Sequence, residues 1–107
     1  MIIIDIPNDF TKTPGWRTYD DGPFSGQEFY DKLLKKGFED ALAQNVKLKV
    51  ILDGSNGYTT SFLNEAFRLL GGAFGGDAVW DRLLIVSNEV PKYIERIKKG
   101  VYAMERK

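Results

Sequence analysis

The sequence predicts an α/β fold: a mixed, mostly parallel sheet of about four strands with three helices, in a single domain spanning residues 1–107. Two observations carry this. Short apolar runs rich in branched residues alternate along the chain with amphipathic stretches of helical spacing. Residues 46–70, VKLKVILDGSNGYTTSFLNEAFRLL, hold one complete unit of strand, polar loop and helix. A chain of this length can bury its own core.

Residues 1–6 read as a first strand that ends at Pro7, which cannot donate to a ladder. Residues 8–24 are irregular. Pro14-Gly15 and Asp21-Gly22-Pro23 are turn signals. Between them, Trp16 and Thr18 alternate with Arg17 and Tyr19, which allows a short second strand and gives the sheet an antiparallel edge. Phe10, Trp16, Tyr19 and Phe24 are expected to pack over one sheet edge; an exposed aromatic patch for a partner is the alternative.

Ser25 opens a helix. In Ser25-x-x-Glu28 the hydroxyl reaches forward to a free N–H and the carboxylate reaches back. Phe29, Leu33, Leu34, Phe38, Ala41 and Leu42 mark the buried face. Glu28 with Lys32, and Asp31 with Lys35, are helical i,i+4 pairs. Gly37 allows close approach to the sheet, and Gln44-Asn45 ends the helix.

Leu48, Val50, Ile51 and Leu52 suit a strand covered on both faces, with Lys47 and Lys49 at its entrance and Asp53 at its exit. Residues 54–57 form a turn. Phe62, Leu63, Ala66, Phe67 and Leu70 then form one helical stripe. Thr60 or Ser61 is expected to cap it, and Gly71-Gly72 to stop it. Residues 71–81, GGAFGGDAVWD, read as a mobile or sharply turned connection tethered by Phe74, Val79 and Trp80. No Gly-Lys-Ser/Thr follows these glycines, so they make no phosphate cradle. Residues 82–86 form the next strand. Ser87 or Asn88 is expected to cap a last helix with Pro91 in its first turn. Val90, Ile94, Ile97 and Val101 line its inner face, and residues 104–107 are expected to fray.

There is no cysteine and no histidine. Disulfides, thiol nucleophiles, Cys/His zinc sites and imidazole acid–base catalysis are excluded. The net charge is zero, so no global field favours nucleic acid. Residues 92–107 carry six basic and two acidic side chains against nine and thirteen before them. That skew reads as a solvated helix face or a weak anionic contact. No apolar run nears the roughly 20 residues of a membrane span, and the opening Met-Ile-Ile-Ile, followed at once by Asp5, reads as too short for a signal peptide. The expected location is the cytoplasm.

Three stretches resemble the STAS-like family of unknown function, relatives of the STAS domains of anti-sigma-factor antagonists and sulfate transporters. They are Pro14-Gly15-x-Arg17 with Gly22-Pro23-Phe24-Ser25-Gly26-x-x-Phe29, then Val50-Ile51-Leu52-Asp53-Gly54, then Thr60-Ser61-Phe62-Leu63-Asn64-Glu65-Ala66-Phe67. The resemblance implies a non-enzymatic regulatory domain of a bacterial-type signalling system. It implies a protein partner such as a histidine-kinase-like ATPase, and no cofactor. In anti-sigma-factor antagonists the matching loop reads Asp-Ser-Ser-Gly, and its first serine is phosphorylated. That serine falls at Thr60 here, with Thr59 for the aspartate and Phe62 for the glycine.

The loop at 53–61 lies where a strand ends and a helix begins, a position at which ligands and partners meet open α/β sheets. Asn56, Tyr58, Thr59, Thr60, Ser61 and Asn64 are the expected partner-binding residues, with Thr60 and Ser61 open to phosphorylation. Two other readings stand beside this one. Asp5, Asp9 and Asp53 near strand ends can hold a divalent cation in a small enzyme. A structural homodimer can form through the first-strand edge or the aromatic loop.

Overall fold

In the computed structural model, residues 1–103 are described. Strand β1 (Ile2–Asp5) runs into the short helix α1 (Ile6–Asp9). Helix α2 (Gly26–Phe29) continues through a π turn (Tyr30–Leu34) into α3 (Lys35–Gln44). Then come β2 (Leu48–Ile51), α4 (Thr60–Phe74), α5 (Gly76–Arg82), β3 (Leu83–Val86) and α6 (Lys92–Tyr102). Expected fraying at residues 104–107 lies outside the described residues.

The sheet has three strands in the order β1-β2-β3, and both pairings are parallel. The expected antiparallel edge does not form. Residues 16–19 bend into a turn instead, because the Asp21 carboxylate accepts from both the Thr18 N–H (3.1 Å) and its hydroxyl (3.2 Å). The expected strand β2 is present and central.

Strand order fixes where the helices go. Both crossovers step the same way across the sheet, so right-handed connections put their helices on one face. Ile4, Leu48, Val50 and Leu83 point to that face and are buried. The opposite face carries the rows Ile3–Lys49–Leu84 and Asp5–Ile51–Val86. Among the described residues no helix crosses back to cover it, and Ile3 is 54% and Leu84 43% exposed. The expectation of a strand covered on both faces is thus corrected: this is a singly wound, two-layer arrangement.

The core is one cluster in which Phe29, Phe38, Phe62 and Phe67 are fully buried. Each such side chain contributes about 1.5–3 kcal/mol relative to exposure. A Cβ on Gly37 would lie 2.8 Å from Ile4 Cδ1, so α3 approaches the sheet as closely as the glycine permits. Phe29 and Leu34 are both fully buried although five residues apart. Five residues are about 1.4 turns of α-helix, which would swing Leu34 off the stripe. The π turn brings it back. Leu42, expected on the buried face, is instead 41% exposed.

The Gly71-Gly72 pair does not stop α4. The helix runs on to Phe74 and breaks at Gly75, whose φ of 96° admits glycine easily. The expected connection is therefore mostly helical. Gly71 is the contact point between helices: a Cβ there would sit 1.9 Å from the Val101 carbonyl oxygen of α6. Phe74 stacks on Phe38 at 4.8 Å, and Val79 is buried, as the tethering expectation requires. Helix α6 starts at Lys92 with Pro91 at its cap position; the Ser87 hydroxyl instead donates to the Val90 carbonyl at 2.7 Å. Ile97 and Val101 line its buried face.

Candidate functional site

The residues at 53–61 leave β2 and enter α4. Asp53 is spent on its neighbours. Its carboxylate accepts from the Glu89 N–H at 2.9 Å and the Asn88 N–H at 3.1 Å. These bonds hold its pKa below the ordinary carboxylate value. Glu89 answers by accepting from the Gly54 N–H at 3.0 Å. The loops after β2 and β3 are thus laced together. Asn56, which is exposed, donates its N–H to the Lys12 carbonyl at 2.8 Å, tying in the long amino-terminal loop.

Tyr58 turns inward. It is 6% exposed, its hydroxyl donates to the Leu52 carbonyl at 2.8 Å, and its ring meets Tyr93 at 5.3 Å. Burial pushes its pKa well up, so it stays neutral. It therefore anchors the loop and supplies none of the expected surface. The carbonyl left open at the end of β2 and the Phe62 and Tyr93 rings make that inward position favourable.

The cap of α4 is Thr59, not Thr60 or Ser61. Its hydroxyl accepts from the Phe62 N–H at 3.0 Å and donates to the Gly15 carbonyl at 2.9 Å. Thr60 then occupies the first helical position and is exposed, while Ser61 is half-buried. One turn on, the Asn64 side chain accepts from Arg17 Nη1 at 3.0 Å. Buried Glu65 takes Arg17 at 3.3 Å, and a two-pronged contact from Arg68 with both distances at 2.9 Å. Arg17 was legible only through the motif Pro14-Gly15-x-Arg17. Tyr93, whose hydroxyl accepts from the Tyr58 N–H at 3.0 Å, gives no sequence signal at 35 residues' separation.

Next to Gly15 lies an aromatic surface. Trp16, Tyr19 and Phe24 are 50%, 47% and 44% exposed. Only Phe10 packs inward, against Phe29 at 5.4 Å. The expected packing over a sheet edge gives way to the exposed alternative. The loop is held firmly: the Gly26 N–H donates to the Trp16 carbonyl at 2.9 Å, and the Tyr19 hydroxyl to Asp31 at 3.0 Å. Asp31 is thereby drawn away from the expected Lys35 pair, whereas Glu28 and Lys32 meet at 2.9 Å. Phe24 is held at a φ of 57°, uncommon for a bulky residue, by the bond from its N–H to Glu28.

A cleft of about 200 Å³ opens between the two loops, lined by Asp53, Ser55, Tyr58, Ser87, Glu89 and Tyr93. A larger hollow of about 500 Å³ lies at the opposite strand ends, around Leu42, Val46 and Arg82, away from the expected surface. Asp5 and Asp9 are joined through the Asp5 N–H at 2.8 Å, while Asp53 is committed to its two backbone donors. Among the described residues no three His, Cys, Asp or Glu side chains gather to hold a metal. Among them, too, no helix is long and apolar enough to cross a membrane.

Residues 25–93 match the model of a STAS-like domain of unknown function. The chain belongs to that family. The match begins at Ser25 and takes in β2, the laced loops and all of α4; the motif at Pro14–Phe24 precedes it. No curated protein and no solved structure matches the chain.

Proposed function

We propose that this domain is a non-enzymatic interaction module that docks a signalling protein at the start of α4. The observation that carries the reading is a rigid surface of exposed side chains. Exposed Thr59 and Thr60 open α4, the Thr59 N–H and hydroxyl are bonded to Pro14 and Gly15 just before exposed Trp16, and the Asn56 N–H is bonded to Lys12, so hydrogen bonds hold the loop and the aromatic segment together in advance. Preorganised aromatic anchors with a polar surround are what a protein interface needs. The acidic groups nearby are engaged with backbone amides or arginines, which leaves little for general acid–base work.

Phosphorylation fits the same surface. Because Thr59 carries the cap, the Thr60 hydroxyl is exposed at a helix amino terminus, where an added phosphate is electrostatically favoured. Arg17, bound to Asn64 one turn away, is within the same neighbourhood. A histidine-kinase-like ATPase is the class of partner that would dock here and place the phosphate.

A pulldown from the native cell with wild type and Thr60→Glu tests this. The expected result is a protein retained by the wild type and lost with Thr60→Glu. Equal retention by both would remove the docking role of α4. Incubation with the retained protein and ATP should add phosphate at Thr60; labelling elsewhere alone would leave docking without the switch.

A further inference from the structure

The uncovered face of the sheet has an unusual character. Parallel sheets are found almost only with both faces covered. Here Ile3, Ile51, Leu84 and Val86 stand on an open face, with Met1 60% exposed at its border. The face is also electrically polar. Along β2 the outward positions run Lys47, Lys49, Ile51, Asp53, and on β1 they run Ile3, Asp5. Cations lie at one end of the strands and carboxylates at the other. Among the described residues Lys49 makes no ion pair.

We infer that this face pairs with the same face of a second copy, stacked antiparallel. A twofold axis running across the strands at the level of Val50 reverses one sheet over the other. Lys47, whose ammonium already donates to its own Asp81 carbonyl at 2.6 Å, then lies opposite Asp53 of the second copy, whose carboxylate keeps its two backbone donors, so this pair contributes long-range attraction between the ends. Lys49 lies opposite Ile51 and diagonal to Asp5, and Leu84 lies opposite Val86. Each copy's cationic end covers the other's anionic end; in the middle Leu84 meets Val86, and Ile3 meets Asp5 of the second copy, whose carboxylate is diagonal to Lys49. A parallel stack would instead set lysine over lysine. The arrangement is isologous and closed, so it ends at two. Stacked sheets sit about 10 Å apart, enough for both side-chain layers.

The strand spacing and rise make the face roughly 15 Å on a side. That is small against the ~800 Å² per partner of a standard interface. The dimer is therefore weak and concentration-dependent. It uses neither the first-strand edge nor the aromatic loop, and it leaves the start of α4 free in both copies. Its failure would not touch the docking surface, nor the reverse.

Sedimentation equilibrium up to about 1 mM protein, a concentration at which even a Kd near 1 mM registers, tests the pairing. The mass of the wild type should climb from 12.1 kDa towards twice that value. Leu84→Asp and Ile3→Asp should each weaken association at least tenfold while keeping the wild-type circular dichroism melt. Leu42→Asp, equally exposed but on α3, should change nothing. A monomer at every concentration, indifference to Leu84→Asp, or dissociation by Leu42→Asp would overturn the inference. Because the chain has no cysteine, Lys47→Cys accepts one spin label per copy. Labels separated by more than about 20 Å fit the antiparallel stack, whereas about 10 Å would contradict it.

Discussion

At the scale of single residues, the site depends on which hydroxyl does which task. Three consecutive hydroxyls, Thr59, Thr60 and Ser61, are equivalent by residue type, and each precedes the same apolar stripe. The tie is broken by distant partners. The Pro14 and Gly15 carbonyls receive the Thr59 N–H and hydroxyl, which fixes the cap one residue earlier than the stripe alone suggests. Thr59→Ala should therefore cost about 1 kcal/mol in urea unfolding. Thr60→Ala and Ser61→Ala should stay within about 0.5 kcal/mol. Equal losses at all three would contradict the cap. Asp53 gives a second prediction. Its folded pKa is lowered, first by the Glu89 N–H and also by the Asn88 N–H. A lowered pKa contributes stability above the unfolded value, about 3.9, that is lost as pH falls through the folded one. Asp53→Asn should flatten that part of the acid limb in a pH series of melts. An unchanged limb would show that the carboxylate is not stabilised by those amides.

At the scale of elements, sequence pattern located most of the secondary structure. Strand β2 and the start of α2 at its Ser25 cap stand where residue type placed them, as does β3 but for Arg82, which ends α5. The glycines misled. Gly71-Gly72 carries a helix-stop signal, yet the backbone there is helical because α6 crosses close enough to require a bare Cα. Only tertiary contact distinguishes the two uses, so the pair can be told apart by substitution. Gly71→Ala should destabilise by about 1–3 kcal/mol through its clash with the Val101 carbonyl, overriding alanine's better propensity. Gly72→Ala, on the exposed side of the same helix, should stabilise by up to about 1 kcal/mol. Thermal or urea melts read both; a stabilising Gly71→Ala would mean that α4 and α6 do not meet there. The π turn was likewise invisible, since Leu33 and Leu34 both fit a helical stripe until the five-residue step from Phe29 is seen in three dimensions.

At the scale of the whole molecule, the consequential feature is direction. Strands alternating with helices led the sequence to suggest helices on both faces. Sheet order, which no local pattern encodes, steps one way only and leaves a face open. The same order means that no topological switch point exists in this sheet. The cleft between the β2 and β3 loops is small and its acids are laced to backbone, so the prominent surface is the patch joining α4 to the aromatic loop. That patch brings together residues from 12 to 17 and from 56 to 65, two segments that the sequence treated separately. Tyr58 shows the limit of residue type as a guide: a polar aromatic in a polar loop became a buried anchor because a strand-end carbonyl was waiting for its hydroxyl.

The docking claim is tested most directly by photo-crosslinking in the native cell. A benzophenone amino acid is placed at Thr60, and separately at Lys36, an exposed position on α3. Illumination should join a partner protein to the chain from position 60 and not from position 36. Adducts formed equally from both positions, or from position 36 alone, would contradict a partner seated at the start of α4.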